Sequence, residues 1–145
     1  MAPEPRPLVV FSHGHGGIRY QNTYLTEHLA THGFVVLGVD HPRNTLYDLD
    51  LDATAQVLAE RPGDIRRAVD ALVTDPRIET ERYVMMGHSF GAFTSLIISG
   101  GVLDVTAGLD WCAEESPPGC GFFGEIENLD LSDASPDPRL SLIHI

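Results

Sequence analysis

The sequence contains no lysine at all, so its nine basic residues are all arginine. They stand against 21 acidic residues, and the formal net charge is −12 at pH 7. Nucleic-acid phosphates repel a chain with this balance, so we do not expect a nucleic-acid partner. Long apolar runs are missing too. No stretch approaches the roughly 20 residues that span a membrane, and the opening MAPEPRP lacks the apolar core of a secretory signal.

Cysteine is almost absent as well. The two cysteines, Cys112 and Cys120, both lie in the acidic stretch between Val102 and Arg139. Their spacing would suit a disulfide that closes a small loop, and two free thiols are an equally good interpretation. The cysteine pattern therefore indicates no cellular compartment.

The most informative stretch is RYVMMGHSFGAFTSLIIS, at positions 82–99. The apolar run Tyr83–Met86 predicts a buried parallel strand, and the residues after Ser89 predict a helix. Between them stands a G-x-S-x-G pattern, Gly87–Gly91, typical of the nucleophile elbow of serine hydrolases. A sharp turn presents the serine hydroxyl only if the positions two residues away lack side chains. Ser89 is the predicted catalytic nucleophile; the alternative is an ordinary strand–turn–helix crossover with a chance serine.

A glycine-rich loop follows another predicted strand, Pro7–Ser12. Its sequence, HGHGG at positions 13–17, lacks the spacing of phosphate-binding loops. In hydrolases with such an elbow, the loop at this position donates one backbone N–H to the oxyanion hole, and the residue after the nucleophile donates the other. We therefore predict that the N–H groups of His15 and Phe90 form this hole. Each donor is worth about 3 kcal/mol of barrier.

Histidines near this loop raise the question of a metal. His13 and His15 form an H-x-H pair, but Gly16 and Gly17 follow where a metal-binding run would place an aspartate. No metal site is therefore expected. The structural interpretation of His13 is a ring that hydrogen-bonds to nearby backbone. His41, after a further apolar run, could contact substrate or be a plain loop histidine.

Strand and helix patterns alternate along the first hundred residues. Phe34–Val39 predicts a strand, Tyr20–His32 predicts a helix, and Pro62 predicts the first turn of a helix that ends at Asp75. This order predicts an α/β fold, with a mostly parallel sheet flanked by helices. The acidic stretch Val102–Arg139 follows the nucleophile helix. It is interpreted either as a lid-like insertion or as a surface excursion with a small core of its own.

These motifs together resemble one branch of the α/β-hydrolases. The elbow, the loop at positions 11–17 and the phrase HGFVV at 32–36 carry the resemblance, and RPGDI at 61–65 and DPR at 137–139 add to it. The branch includes predicted dienelactone hydrolases, platelet-activating-factor acetylhydrolases and, more distantly, cutinase-like polyester hydrolases. The resemblance covers Pro7–Arg139. It implies an α/β-hydrolase domain that hydrolyses small-molecule esters or lipids with a Ser-His-Asp triad and no cofactor.

The sequence departs from that family after Ser89. The triad acid should follow a further strand and the triad histidine should come later still, but the one histidine after Ser89, His144, falls on the next predicted strand. The tail Leu140–Ile145 also reads as the translation of CTG TCT CTT ATA CAC ATC, which resembles a transposon end used in sequencing libraries. We therefore expect residues 1–145 to be a single incomplete domain that lacks the triad Asp and His, with 140–145 a non-native tail.

Two other functions stay open at this point. One is a non-catalytic hydrolase-like module that binds a small ligand or a protein partner. The other is an acyltransferase or peptidase, since neither fold nor elbow fixes the acyl acceptor. The sequence indicates no oligomeric state.

Overall fold

The computed structural model describes residues 4–115 and 120–144. The elements in chain order are β1 (Arg6–Ser12), α1 (Thr23–Thr31), β2 (Val35–Val39), α2 (Thr54–Asp70), β3 (Ile78–Gly87), α3 (Phe90–Ile98), α4 (Val105–Glu115), α5 (Gly121–Ile126) and β4 (Leu140–His144). The alternation from β1 to α3 confirms the predicted α/β class. Residues 1–3 of the opening segment and Ile145 of the suspected tail lie outside the described residues.

The four strands form one parallel sheet in the order β2-β1-β3-β4. The register aligns the last residue of β1, Ser12, with Val39 of β2 and with Gly87 of β3. The loops that follow these three strands therefore leave the sheet at one edge. In parallel sheets this carboxyl edge is where ligands bind.

Apolar side chains from the strands and from α2 and α3 form the main core. Its fully buried members are Leu8 and Val10 of β1, Ile65 and Val69 of α2, Tyr83 and Met85 of β3, and Ile98 of α3. The apolar runs that predicted β1 and β3 thus lie where a parallel sheet covered by helices needs them. A second cluster joins Ala55 and Leu58 of α2 to Ile97 of α3 and Ile126 of α5.

Helix α2 corrects one sequence expectation. Pro62 was expected in the first turn of a helix, but α2 begins at Thr54 and contains Pro62 in its interior. A proline there removes one backbone hydrogen bond and costs about 3 kcal/mol. Leu58 before it and Ile65 and Val69 after it are all buried. Burying each stabilises the fold by about 1.5–3 kcal/mol, so the apolar face outweighs the proline.

The acidic stretch contains two helices with different environments. Helix α4 has no buried residue, whereas Ile126 of α5 is 2% exposed and packs in the second cluster. A disulfide between Cys112 and Cys120, with Cα atoms 5.6 Å apart, joins α4 to the start of α5. The disulfide interpretation of the two cysteines therefore holds in this structure.

Candidate active site

Ser89 lies at the carboxyl edge of the sheet, in the turn between β3 and α3. Its backbone has φ 53° and ψ −114°, a conformation that side-chain-bearing residues rarely adopt. The residue is exposed, and its hydroxyl has no hydrogen-bond partner among the residues that the structure describes. The turn therefore holds a free hydroxyl at a strained position.

The two glycines of the elbow are required by close backbone contacts. A methyl group on Gly87 would meet the Gly91 carbonyl and would lie 2.6 Å from the Ala92 nitrogen. On Gly91 it would meet the Ser12 carbonyl and would lie 2.8 Å from the His13 oxygen. The start of α3 is thus pressed against the end of β1. The His88 N–H also donates to the Ser12 carbonyl at 3.2 Å, which joins the elbow to the same strand.

The loop after β1 lies beside this turn. Its backbone is held by two hydrogen bonds, from Gly14 N–H to the Gln21 side-chain oxygen at 2.7 Å and from Gly17 N–H to the Gly14 carbonyl at 3.0 Å. The His15 ring packs edge-on against the Phe90 ring, with the centroids 5.4 Å apart. The structure thus brings together the two residues assigned to the oxyanion hole. Among the described residues, neither of their backbone N–H groups has an acceptor.

A buried arginine lies under this loop. Arg61, on α2, is 0% exposed. It donates to Asn44 Oδ1 at 2.8 Å, to Ser12 Oγ at 2.9 Å and to the His13 carbonyl oxygen. Its guanidinium carbon also lies 5.1 Å from the centroid of the Phe90 ring, as a cation–π contact. Arg61 therefore contacts both the loop after β1 and the first residue of α3.

Because arginine can only donate, Arg61 fixes the proton positions around it. Ser12 Oγ accepts from Arg61, so its own proton goes to His41 Nε2 at 2.9 Å. His41 Nδ1–H then donates to Asp64 Oδ2 at 2.9 Å. In the same way, the Asn44 oxygen faces Arg61, and its NH₂ group donates to His15 Nδ1 at 2.8 Å. A neutral His15 therefore carries its proton on Nε2.

His13 completes the network. The backbone N–H of His41 donates to His13 Nε2 at 3.2 Å, so His13 Nδ1–H donates to the Gly14 carbonyl at 2.7 Å. Both rings are 0% exposed. The structural interpretation of His13 is the one that the contacts match, and substrate contact by His41 is wrong because its ring lies inside the protein.

Burial decides the charge states in this network. It lowers the pKa of His41 to about 4, although the hydrogen bond to Asp64 opposes the shift. It lowers the pKa of His13 too, against the hydrogen bond to Gly14. Burial alone would raise the pKa of Asp64, but hydrogen bonds from His41 and Arg67 outweigh it and lower that pKa. At neutral pH both histidines are therefore neutral and Asp64 is ionised.

Ser12, His41 and Asp64 are connected in the order of a catalytic triad, but they are not placed for catalysis. Ser12 and His41 are both 0% exposed, and the Ser12 hydroxyl already accepts a hydrogen bond from Arg61. No substrate carbonyl can reach that oxygen. The exposed serine is Ser89, and this chain of hydrogen bonds supports the loop beside it.

The sequence motifs predicted Ser89, His15 and Phe90 as site residues but assigned no role to the buried network. Asn44 gave no signal at all, since an asparagine after a strand is a common turn residue. Arg61 and Asp64 did stand in the family-like phrase RPGDI. An arginine and an aspartate on the apolar side of a helix pattern would have been the signal to follow, because buried charges need partners.

Residues 4–115 and 120–144 contain neither a candidate metal site nor a candidate membrane-spanning helix. No group of three or more His, Cys, Asp or Glu side chains there could hold a metal ion. No helix in that part of the chain is both long enough and apolar enough to cross a bilayer.

Comparisons with known proteins identify relatives. A family model of platelet-activating factor acetylhydrolase, isoform II, matches residues 1–56. The cutinases est1 and est2 of Thermobifida alba are 30% identical over 107 residues, 70% of this chain and 33% and 32% of theirs. Cutinase 2 of Thermobifida cellulosilytica is 32% identical over 101 residues, 70% of this chain and 37% of its own.

Solved structures that resemble this chain include two esterases. A ferulic acid esterase from Streptomyces cinnamoneus matches with a TM-score of 0.55 and 34% identity, over 64% of this chain and 32% of that one. A thermophilic esterase from Thermogutta terrifontis has the same fold at a TM-score of 0.52 and 21% identity, over 66% and 34%.

The sheet, its covering helices and these relatives define the class of protein. The chain is a member of the α/β-hydrolase superfamily, distant from the cutinases. It spans about a third of the length of the curated relatives it matches.

Proposed function

We propose that this chain carries the nucleophile and the oxyanion hole of a serine carboxylic-ester hydrolase of the esterase or lipase type. One observation carries the proposal: Ser89 is exposed at a positive φ of 53° between β3 and α3, where the hydroxyl has no partner among the described residues. Strained backbone conformations of side-chain-bearing residues cluster at active sites and ligand-binding sites. The non-catalytic alternative leaves the strain unexplained.

In this mechanism the Ser89 Oγ attacks the ester carbonyl carbon. The carbonyl oxygen becomes an oxyanion that accepts hydrogen bonds from the His15 and Phe90 N–H groups. Collapse expels the alcohol and leaves an acyl group on Ser89, and water then attacks the acyl carbon to release the acid. No step requires a metal or a cofactor.

The base that activates Ser89 is proposed to come from outside the described residues. His13 and His41 are buried and fully engaged, and no described histidine hydrogen-bonds the Ser89 hydroxyl. The resemblance implies a histidine held by an aspartate, both later in the complete enzyme. By "complete enzyme" we mean this chain joined to the triad-bearing part of its own reading frame.

The substrate is proposed to be a small-molecule ester or a lipid. The named relatives include cutinases and a ferulic acid esterase. An open cavity of about 140 Å³ lies among Leu58, Ile97, Leu103 and Ile126, in the same apolar cluster that Phe90 contacts. Because the Phe90 side chain packs against this cluster, we propose that the cluster offers an apolar surface to the acyl group of the ester.

The test is covalent labelling of the complete enzyme with a fluorophosphonate, followed by peptide mapping. We expect the phosphonyl group on Ser89 and no labelling of Ser89→Ala. The matched control is Ser99→Ala, at the far end of α3, which should label like the wild type. Label on a different serine, or undiminished label in Ser89→Ala, would refute the proposal and favour a binding module.

A further inference from the structure

Arg61 is a buried cation without a direct anionic partner. Its side chain is 0% exposed, and no described Asp or Glu forms an ion pair with it. Its three acceptors, on Asn44, Ser12 and His13, are all neutral, and its Nε has no hydrogen-bond partner in the described part of the chain. Burying an unpaired charge is costly. An apolar residue of similar length would fill the space on α2 without that cost.

The contacts of Arg61 converge on the two proposed oxyanion residues. On one side it donates to Asn44 Oδ1, and the Asn44 amide in turn donates to His15 Nδ1 at 2.8 Å. The position of the His15 ring is therefore linked to that of Arg61. It also holds the carbonyl of His13, two residues before His15. On the other side the guanidinium lies on the ring of Phe90, 5.1 Å from its centroid.

Neither side of the hole is fixed by regular secondary structure alone. His15 belongs to a loop, and Phe90 is the first residue of α3, where the N–H has no intrahelical acceptor. Oxyanion donors act only when they are held about 3 Å from the place where charge develops. A side chain that contacts Phe90 directly and is linked to His15 through Asn44 sets the relative position of the two donor residues.

We propose that Arg61 is a positioning residue for the oxyanion hole, acting on His15 through Asn44 and on Phe90 through its ring. The inference rests on the proposed esterase function. Arg61 does not touch the substrate. It lies beneath the loop and keeps the two N–H groups at a fixed separation.

The experiment uses the complete enzyme and three variants. Arg61→Met keeps the length and apolar bulk of the side chain but removes the donors and the charge. Asn44→Ala removes the link between Arg61 and His15. Arg61 keeps its other two acceptors and its contact with Phe90. Arg66→Met is the matched control, because Arg66 lies on the same helix and donates to the Ser135 and Asp133 carbonyls instead.

Removing a whole oxyanion donor lowers kcat by about 10²–10³-fold. We expect smaller or comparable losses for p-nitrophenyl butyrate, about 100-fold in Arg61→Met and about 10-fold in Asn44→Ala. KM should change less than about threefold, since the oxyanion exists only in the transition state. Arg66→Met should stay within about twofold of wild type. In ¹⁵N spectra of the histidine rings, Asn44→Ala should also shift the His15 Nδ1 resonance, because its donor is gone.

The outcomes separate this inference from the proposed function. If Ser89→Ala keeps full activity, the esterase function itself fails. If Ser89 is essential but Asn44→Ala, checked by circular dichroism to be folded, keeps wild-type kcat, the positioning role is refuted and the esterase function stands. A purely structural role predicts lower thermal stability with unchanged kcat at a temperature where the variant is folded. Should Arg61→Met not fold, Asn44→Ala decides alone.

Discussion

Gly91 shows how strictly the elbow constrains single residues. A side chain here would run into the Ser12 carbonyl at the end of β1 and lie 2.8 Å from the His13 oxygen. These are backbone atoms of a paired strand, so they cannot move aside as a flexible side chain would. The glycine is thus needed for the close approach of α3 to β1, independently of any reaction.

We predict that Gly91→Ala lowers the free energy of unfolding by about 3 kcal/mol, at the upper end for overpacked sites. Urea unfolding followed by circular dichroism measures the change. Gly124→Ala is the matched control, because nothing lies within 4 Å of its added methyl group. That variant should gain up to about 1 kcal/mol, as alanine does over glycine inside a helix. Equal stability of the two variants would contradict the close approach.

His41 makes the stability of the domain depend on pH. Its pKa is about 4 in the folded protein and 6.5 without the fold, so between these values the unfolded chain binds a proton that the folded chain does not. The contribution of this pKa shift to the free energy of unfolding is therefore fully present above pH 6.5 and is lost as the pH falls towards 4. Each pKa unit corresponds to about 1.4 kcal/mol, so the total loss is about 3 kcal/mol.

Urea unfolding at a series of pH values between 4 and 8 tests this. His41→Gln should be less stable at pH 7, since Asp64 and Ser12 lose a partner, but its stability should change less between pH 6.5 and 4. His28→Gln, at an exposed position on α1, should keep the wild-type slope. If His41→Gln keeps it too, the loss of stability in acid has another source.

At the scale of elements, the sequence predicted what depends on local patterns. The apolar runs predicted β1, β2 and the second half of β3, because strands of a parallel sheet covered by helices are rich in apolar residues. They did not show that α2 continues through Pro62, because that depends on the side chains of other elements that pack against Leu58 and Ile65. Helix α3 makes the same point. Phe93 and Ile98 are both large apolar residues of this helix, yet Ile98 is 0% exposed and Phe93 is 39% exposed.

The candidate site also contains features that local sequence predicts and features that depend on the fold. Ser89 and its glycines could be predicted, since the spacing of a sharp turn is local. The links from Arg61 to Asn44 and from Asp64 to His41 could not, because they join positions 17 and 23 residues apart in the chain. Only the fold brings these pairs together.

The two helices of the acidic stretch should respond differently to change. We predict that removing α4, in the complete enzyme and together with Cys120→Ser, alters the preference between short and long acyl esters but leaves the fold intact. Helix α4 has no buried residue, and the segment beside it contributes Leu103 to the cluster that Phe90 contacts. Hydrolysis rates of p-nitrophenyl esters from acetate to decanoate measure the preference.

Ile126→Ala in α5 is the companion variant. Ile126 is 2% exposed between Leu58 and Ile97, so we expect a loss of about 2–4 kcal/mol of stability. An unchanged ester profile after removal of α4, accompanied by unfolding, would show that α4 is part of the core rather than a wall of the substrate site.

At the scale of the whole molecule, the described part of the chain holds the proposed nucleophile, Ser89, at the carboxyl edge of the sheet. The sheet, the elbow and the buried network fix the position of Ser89 and of the two proposed donors. A serine hydroxyl is a weak nucleophile at neutral pH, however, and it needs an adjacent base. Most of the described histidines are engaged elsewhere: His13 and His41 are buried, His15 Nδ1 accepts from Asn44, and His28 on α1 packs against His32, the residue after that helix.

We therefore predict that the 145-residue chain by itself is essentially inactive on esters. His88 precedes Ser89 directly, and neighbouring side chains on a sharp turn point apart. His144, the one histidine later in the sequence, belongs to β4 and pairs in register with Met86, whereas the resemblance places the triad histidine beyond a further strand and helix. The oxyanion hole alone leaves roughly 10³–10⁴-fold acceleration over water, far below enzymatic turnover.

Expression of the chain as it stands and assay with p-nitrophenyl acetate and butyrate measure this directly. The expected rate is at most about 10³–10⁴-fold above that of buffer, far below enzymatic turnover, and Ser89→Ala should lower it only slightly. His28→Ala serves as the control for nonspecific hydrolysis by an exposed imidazole. Turnover in the usual range of about 1–10³ s⁻¹, abolished by Ser89→Ala and by His144→Ala alike, would overturn the prediction. It would make His144 the catalytic base, and the residues of β4 would then belong to a working active site.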